Sequence, residues 1–152
     1  MLPIRAEIEI AAPAERVWPI LCDLERYAEW NPFTRKVESD RVVGHPIVLH
    51  VDFGTGKLLR QVEIIRRFEP GVELRWGTTM GPAWWFRAER WQRVEPIDDR
   101  RCRYVTEDPF EGVFAPVVAA LYADKVRRGF EAVARALARR AEAIEAHSPT
   151  AA

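Results

Sequence analysis

Residues 4–10 alternate without a break, with Ile4, Ala6, Ile8 and Ile10 on one face and Arg5, Glu7 and Glu9 on the other. A period of two predicts a half-buried strand. Ala12-Pro13 changes the period, and Val17, Trp18, Ile20, Leu21 and Leu24 follow at helical spacing. Pro13 suits a first helical turn, and Glu15 suits the positive end of the helix dipole. Pro19 argues against one long helix, so two short ones are predicted, over 13–22 and 23–30, with Asp23 as N-cap of the second. Trp30-Asn31-Pro32 closes the pair, because a residue before proline is pushed out of the helical region.

From residue 33 to 110 the pattern is strands and turns. Strands are predicted over 34–43, 46–53, 57–68, 71–79, 84–95 and 101–109, separated by Gly44-His45-Pro46, Gly54-Thr55-Gly56, Pro70-Gly71, Gly81-Pro82 and 96–99. Such short connections imply an antiparallel meander. Residues 112–146 switch to a stripe of Val118, Tyr122, Val126, Phe130, Val133, Leu137 and Ile144, the apolar face of one long helix. Pro116 fits only near its first turn. Gly129 costs about 1 kcal/mol inside a helix, which close approach to the sheet would explain. A frayed tail is expected over 147–152. The order describes one domain over 1–152, of class α+β: a curved seven-stranded antiparallel sheet around a C-terminal helix.

With 23 basic and 23 acidic residues, the formal net charge is zero, which argues against a dedicated nucleic-acid binder. Six basic residues in 125–140 read as a solvated helix face, supported by Asp124–Arg128 and Glu131–Arg135 pairs. The longest nearly apolar run, 113–123, is too short for the ~20 residues that span a bilayer. The opening residues carry Pro3, Glu7 and Glu9 where a signal peptide needs an apolar stretch. Cys22 and Cys102 are widely spaced and read as small apolar fillers, so a cytoplasmic setting is expected.

Several motifs fail on context. Gly54-Thr55-Gly56-Lys57 lacks the spacing and the following Ser or Thr of a phosphate loop. His45, His50 and His147 share no ligand spacing, so no metal is expected. No nucleophile elbow or triad grouping is visible, and no catalytic residue or cofactor is assigned.

The informative positions lie on the last two long strands. In 84–94 the parity of Arg87, Glu89, Arg93 and Glu95 is charged, which turns Trp84, Phe86, Ala88, Arg90, Gln92 and Val94 inward. The inward parity of 102–110 carries Cys102, Tyr104, Thr106, Asp108 and Phe110. Sealing unpaired polar groups in a core costs several kcal/mol. Either Arg90 and Asp108 pair across the sheet and satisfy each other, or these residues form the polar end of a cavity. In the second reading Trp76, Trp84, Phe86, Tyr104 and Tyr122 supply the wall, and Arg90, Gln92, Thr106 and Asp108 orient a ligand. The Trp30-Asn31-Pro32 turn and the Gly54 hairpin are candidates for the mouth. Of six tryptophans, Trp18 is read as core, Trp30 as mouth, and Trp85 and Trp91 as outward.

The element order resembles the START-like or SRPBCC superfamily and its helix-grip fold. Residues 8–33, Glu73-Leu74-Arg75-Trp76, Arg93-Val94-Glu95-Pro96, 108–112 and 129–132 are similar to that family's motifs, most of all those of bacterial polyketide cyclase and lipid-transport members. The resemblance implies binding of a lipid, polyketide or isoprenoid between sheet and helix. Its alternatives are an aromatase or cyclase, in which Arg90 stabilises an enolate and Asp108 moves a proton, and a protein-interaction module without ligand. The expected partner is a hydrophobic small molecule, with no nucleic acid and no membrane span; a homodimer is left open.

Overall fold

The computed structural model describes residues 3–147. Strand β1 (Ile4–Ile10) leads into helix α1 (Ala14–Cys22), a 3-10 turn at Leu24–Arg26 and helix α2 (Tyr27–Trp30). Pro19 lies inside α1, as it does in the helix expected over 13–22. The backbone bond it forfeits would have gone to Glu15, which faces solvent and can use water instead. Strands β2 (Thr34–Glu38), β3 (Pro46–Asp52), β4 (Leu58–Glu69), β5 (Glu73–Met80), β6 (Phe86–Pro96) and β7 (Cys102–Asp108) follow. A two-residue strand, β8 (Phe110–Glu111), precedes the long helix α3 (Ala115–His147). Residues 148–152 of the expected tail lie outside the described residues.

The strands form one antiparallel sheet in the order β1-β7-β6-β5-β4-β3-β2, with β8 beside β6. The first strand therefore joins the last long one, from Ile4 opposite Asp108 to Ile10 opposite Cys102. The result is the curled seven-strand helix-grip architecture expected, with β8 as a short addition.

Two strand ends differ from expectation for local reasons. Residues 39–43 leave the sheet because Ser39 Oγ accepts from the Arg41 amide at 2.9 Å and Asp40 Oδ1 from the Val42 amide at 3.0 Å. Such side-chain bonds offer the backbone an alternative to the ladder, and Arg41 takes a positive φ of 63°. At the other end, the Trp85 amide donates to the Pro82 carbonyl at 2.8 Å, so Trp84 and Trp85 belong to a turn and β6 starts at Phe86.

The core fills the concave face. Ile4, Ala6 and Ile10 of β1 pack with Val17 and Leu21 of α1 and with Phe130, Val133, Leu137 and Ala141 of α3. Only the second half of α3 is seated in this way. Its first half carries half-exposed Val118 and Val126 and exposed Leu121 and Tyr122. The basic face of α3 is solvated, although Asp124 pairs with Arg127 at 2.7 Å while Arg128 reaches only its backbone carbonyl, at 3.3 Å.

Candidate functional site

Between the first half of α3 and strands β3 to β6 lies a cavity of about 520 Å³. Its wall is apolar over most of its extent: Leu49, Val51 and Phe53 from β3 and its end, Trp76 and Met80 from β5, Phe86 from β6, and Val118, Leu121 and Phe130 from α3. Phe33 joins them through edge-to-face contacts with Phe53 and Phe130, at centroid separations of 5.5 and 5.9 Å. The lining residues Leu59, Met80, Leu121 and Tyr122 are also exposed, so they rim the opening. Of the two expected mouth elements, the Trp30-Asn31-Pro32 turn is corrected. Asn31 is buried instead, and its Oδ1 accepts from the amides of Phe33 at 3.0 Å and Thr34 at 2.8 Å, which fixes the chain's entry into β2.

The polar end is built on β6 and β7. Arg90 is buried there because even-numbered β6 residues face α3: Phe86, Arg90, Gln92 and Val94 are all sealed. Arg90 Nε donates to Thr106 Oγ1 at 2.9 Å and Nη2 to the Tyr104 hydroxyl at 3.3 Å. The Thr106 hydroxyl in turn donates to the Trp91 carbonyl at 3.0 Å, and the Tyr104 hydroxyl donates to Gln92 Oε1 at 2.6 Å. The guanidinium carbon sits 4.0 Å from the centre of the Phe130 ring, a cation–π contact in a desolvated setting. Register accounts for the cluster, since Gln92 lies opposite Thr106 and Val94 opposite Tyr104.

Asp108 and Glu63 complete the polar end. Burial pushes the Asp108 carboxyl up to about 7, against the opposing pull of the Arg90 charge and the Glu89 amide. Burial likewise raises Glu63 to about 8, with Asp108 adding to the rise and Arg90 resisting it. Asp108 Oδ1 is sealed from solvent and has no hydrogen-bond partner. Among the described residues no ion pair joins either carboxyl to Arg90, so the self-satisfying Arg90–Asp108 pair does not form. The β6–β7 neighbours Thr106 and Tyr104 occupy the guanidinium instead.

Five of the nine residues singled out from the sequence line the cavity: Trp76, Phe86, Arg90, Asp108 and Tyr122. Gln92, Tyr104 and Thr106 do not line it: Thr106 and Tyr104 hold Arg90, and Gln92 accepts from Tyr104 in turn. Trp84 requires a correction. It is 64 % exposed, in the turn before β6, packed edge-on against Trp85 at 5.8 Å. Strand parity does not apply to a residue outside the strand.

Gln61 and Glu63 were missed, along with Phe33 and Phe53. In β4 both faces are mixed, with Leu59, Gln61, Glu63 and Ile65 alternating with Leu58, Arg60, Val62 and Ile64. No charge asymmetry marks the inner parity there. The two thiols are raised to about 11 by burial and are poor nucleophiles. Among the described residues no three His, Cys, Asp or Glu side chains are placed to hold a metal ion, and no helix is long and apolar enough to cross a membrane.

A helix-grip sheet closed over an apolar cavity with a polar end defines the START or SRPBCC class. Residues 1–142 match the model of the polyketide cyclase / dehydrase and lipid transport family, and the chain belongs to that family. No curated protein matches it in sequence. Its fold is similar to that of a START superfamily protein from Mycobacterium smegmatis, at 18 % identity and TM-score 0.67, over 93 % of this chain and 98 % of that one. It is also similar to the Zhui aromatase/cyclase from Streptomyces sp. R1128, at 24 % identity and TM-score 0.63, over 93 % of each chain. Norcoclaurine synthase from Thalictrum flavum, solved with dopamine and hydroxybenzaldehyde, aligns at 15 % identity and TM-score 0.69, over 98 % of this chain and 89 % of that one. At these identities the likeness is one of fold.

Proposed function

We propose that this protein binds a hydrophobic or amphipathic small molecule, of lipid, polyketide or isoprenoid type, in the cavity between sheet and α3. One observation carries the reading: about 520 Å³ of space with aromatic and aliphatic walls converges on a buried Arg90 and two carboxyls. That volume lies within the usual range for small-molecule sites, as does the mixture of apolar wall and few polar groups. Apolar burial, at ~25 cal/mol per Å², supplies affinity, and the polar end sets orientation. Arg90, Asp108, Trp76, Phe86 and Tyr122 contact the ligand, while Gln92, Tyr104 and Thr106 position Arg90. A single domain in the cytoplasm suits two cysteines that form no disulfide.

The test is to fill the space. Ala88 lines the cavity on β6 between Phe86 and Arg90, and Ala88→Phe places a ring where the ligand sits. Native mass spectrometry of purified protein, with titration of its tryptophan fluorescence by apolar ligands, is expected to show binding that A88F weakens at least about tenfold. A folded parent that carries nothing and responds to no apolar ligand overturns the reading.

A second reading, a cyclase or aromatase, is favoured by the same carboxyls. Asp108 and Glu63, raised to about 7 and about 8 within one cavity, are poised to exchange protons near neutral pH. Arg90 would then stabilise an enolate as it forms. Turnover of a poly-ketone mimic that is lost in Asp108→Asn supports this reading; turnover that survives rules out Asp108 as the proton carrier.

A further inference from the structure

The charged or titratable side chains lining the cavity are Glu63 of β4, Arg90 of β6, Asp108 of β7 and Tyr122 of α3. Arg90 is partly engaged, through Thr106, Tyr104 and the Phe130 ring. Its Nη1 takes no acceptor among the described residues and remains open to the cavity. Glu63 also makes no hydrogen bond or ion pair among them, and it is only half-buried, so its carboxyl is available to an occupant. Asp108 is half-buried too, but one of its oxygens is sealed and without partner.

Charge balance then decides what the site accepts. One guanidinium is neutralised by one ionised carboxyl, and a second negative charge in the same desolvated space is strongly disfavoured. Burial raises both carboxyls, and an ionised Asp108 opposes ionisation of Glu63, so beside the single Arg90 charge the two groups together keep one proton near neutral pH. The polar end is thus a neutral set with a carboxylic O–H and a guanidinium N–H on offer.

Resting on the ligand-binding reading, we propose that the cavity selects a ligand whose polar end is an uncharged oxygen acceptor, such as a ketone or ester carbonyl, held by Glu63 as a neutral donor together with Arg90. An anionic head adds a second negative charge beside Asp108. A cationic head sets a positive charge beside Arg90. An uncharged carbonyl incurs neither penalty and accepts from both donors. Glu63 is therefore the specificity-determining residue, its side chain reaching the ligand's carbonyl from β4 while Arg90 reaches it from β6.

Three probes of one shape separate the possibilities: 2-acetylnaphthalene, 2-naphthoate and 1-(2-naphthyl)ethylamine, titrated calorimetrically into the full chain at about pH 7.5. The ketone is expected to bind at least about tenfold more tightly than either charged probe. Its affinity is expected to fall about tenfold by about pH 9.5, as Glu63 loses its proton, with no such fall in Glu63→Gln, whose amide donates without titrating. Tighter binding of the naphthoate or the amine overturns this inference and leaves the ligand-binding reading standing. A ketone affinity that is flat with pH in the parent chain overturns it too. Failure of all three probes to bind a natively folded chain overturns both.

Discussion

Glu73 is fully buried on the convex face of the sheet, yet both of its carboxylate oxygens are satisfied. Arg75 Nε and Arg93 Nε each donate to it at 2.7 Å, on separate oxygens. Arg93 also lies 4.3 Å over the Trp91 ring, and Arg75 leans towards Glu89 at 3.4 Å. The two arginines are 35 and 41 % exposed, whereas Glu73 is 1 % exposed. The consequences of mutation are therefore asymmetric. Glu73→Gln frees two arginines that can turn to water, and is expected to cost about 1–2 kcal/mol in urea denaturation. Removing both arginines strands a buried carboxylate, and R75A/R93A is expected to cost about 3–5 kcal/mol. Equal costs for the two variants would show that the cluster is merely surface decoration. The same residues show what a sequence can reveal at this scale. The inward Arg90 and Asp108 were legible because charges crowd the opposite parity of their strands. Glu63 was not legible, because β4 has no such asymmetry. Trp84 was misplaced because a turn hydrogen bond, not its hydropathy, decides where β6 begins.

At the scale of elements, the order of strands and helices follows from period changes and turn residues, and it survives almost intact. What periodicity could not supply is how α3 divides its labour. Its second half is packed into the core, while its first half roofs the cavity with half-exposed apolar side chains. Gly129 lies at that division. A Cβ there would stand 2.3 Å from the Phe33 ring, which is itself wedged between Phe53 and Phe130. Helix propensity alone favours Gly129→Ala by about 1 kcal/mol, but overpacking costs about 1–3 kcal/mol. The clash is expected to win, so that G129A is destabilised by about 1 kcal/mol. In a Phe33→Ala background the ring is gone, and the same G129A change should become stabilising. A double-mutant cycle in urea checks the reversal of sign. If G129A destabilises both backgrounds equally, close approach is not what keeps this glycine.

For the whole molecule, the cavity carries a thermodynamic signature. The carboxyls of Glu63 and Asp108 are held above their unfolded values, at about 8 and about 7. The folded chain therefore binds more protons than the unfolded chain across the interval between the ordinary carboxylate range and about 8. Stability must fall as pH rises through that interval. Exposed carboxylates work in the opposite sense and at lower pH: Glu25, bonded by Arg41, is lowered to about 2, so its contribution is lost only on strong acidification. The window from about pH 5 to about pH 8.5 thus isolates the cavity carboxyls from these acid-range groups. The histidine–carboxylate contacts His45–Asp40 and His50–Glu38 lie in other parts of the molecule and contribute equally to parent and variant. Glu63→Gln keeps the shape and removes the titration. In denaturant melts the variant is expected to match the parent chain near pH 5 and to exceed it by about 1–3 kcal/mol near pH 8.5, the cost of ionising a group with no partner. A difference that does not change with pH would mean that Glu63 is solvated in the folded chain, and the polar end of the cavity would then be wet rather than desolvated.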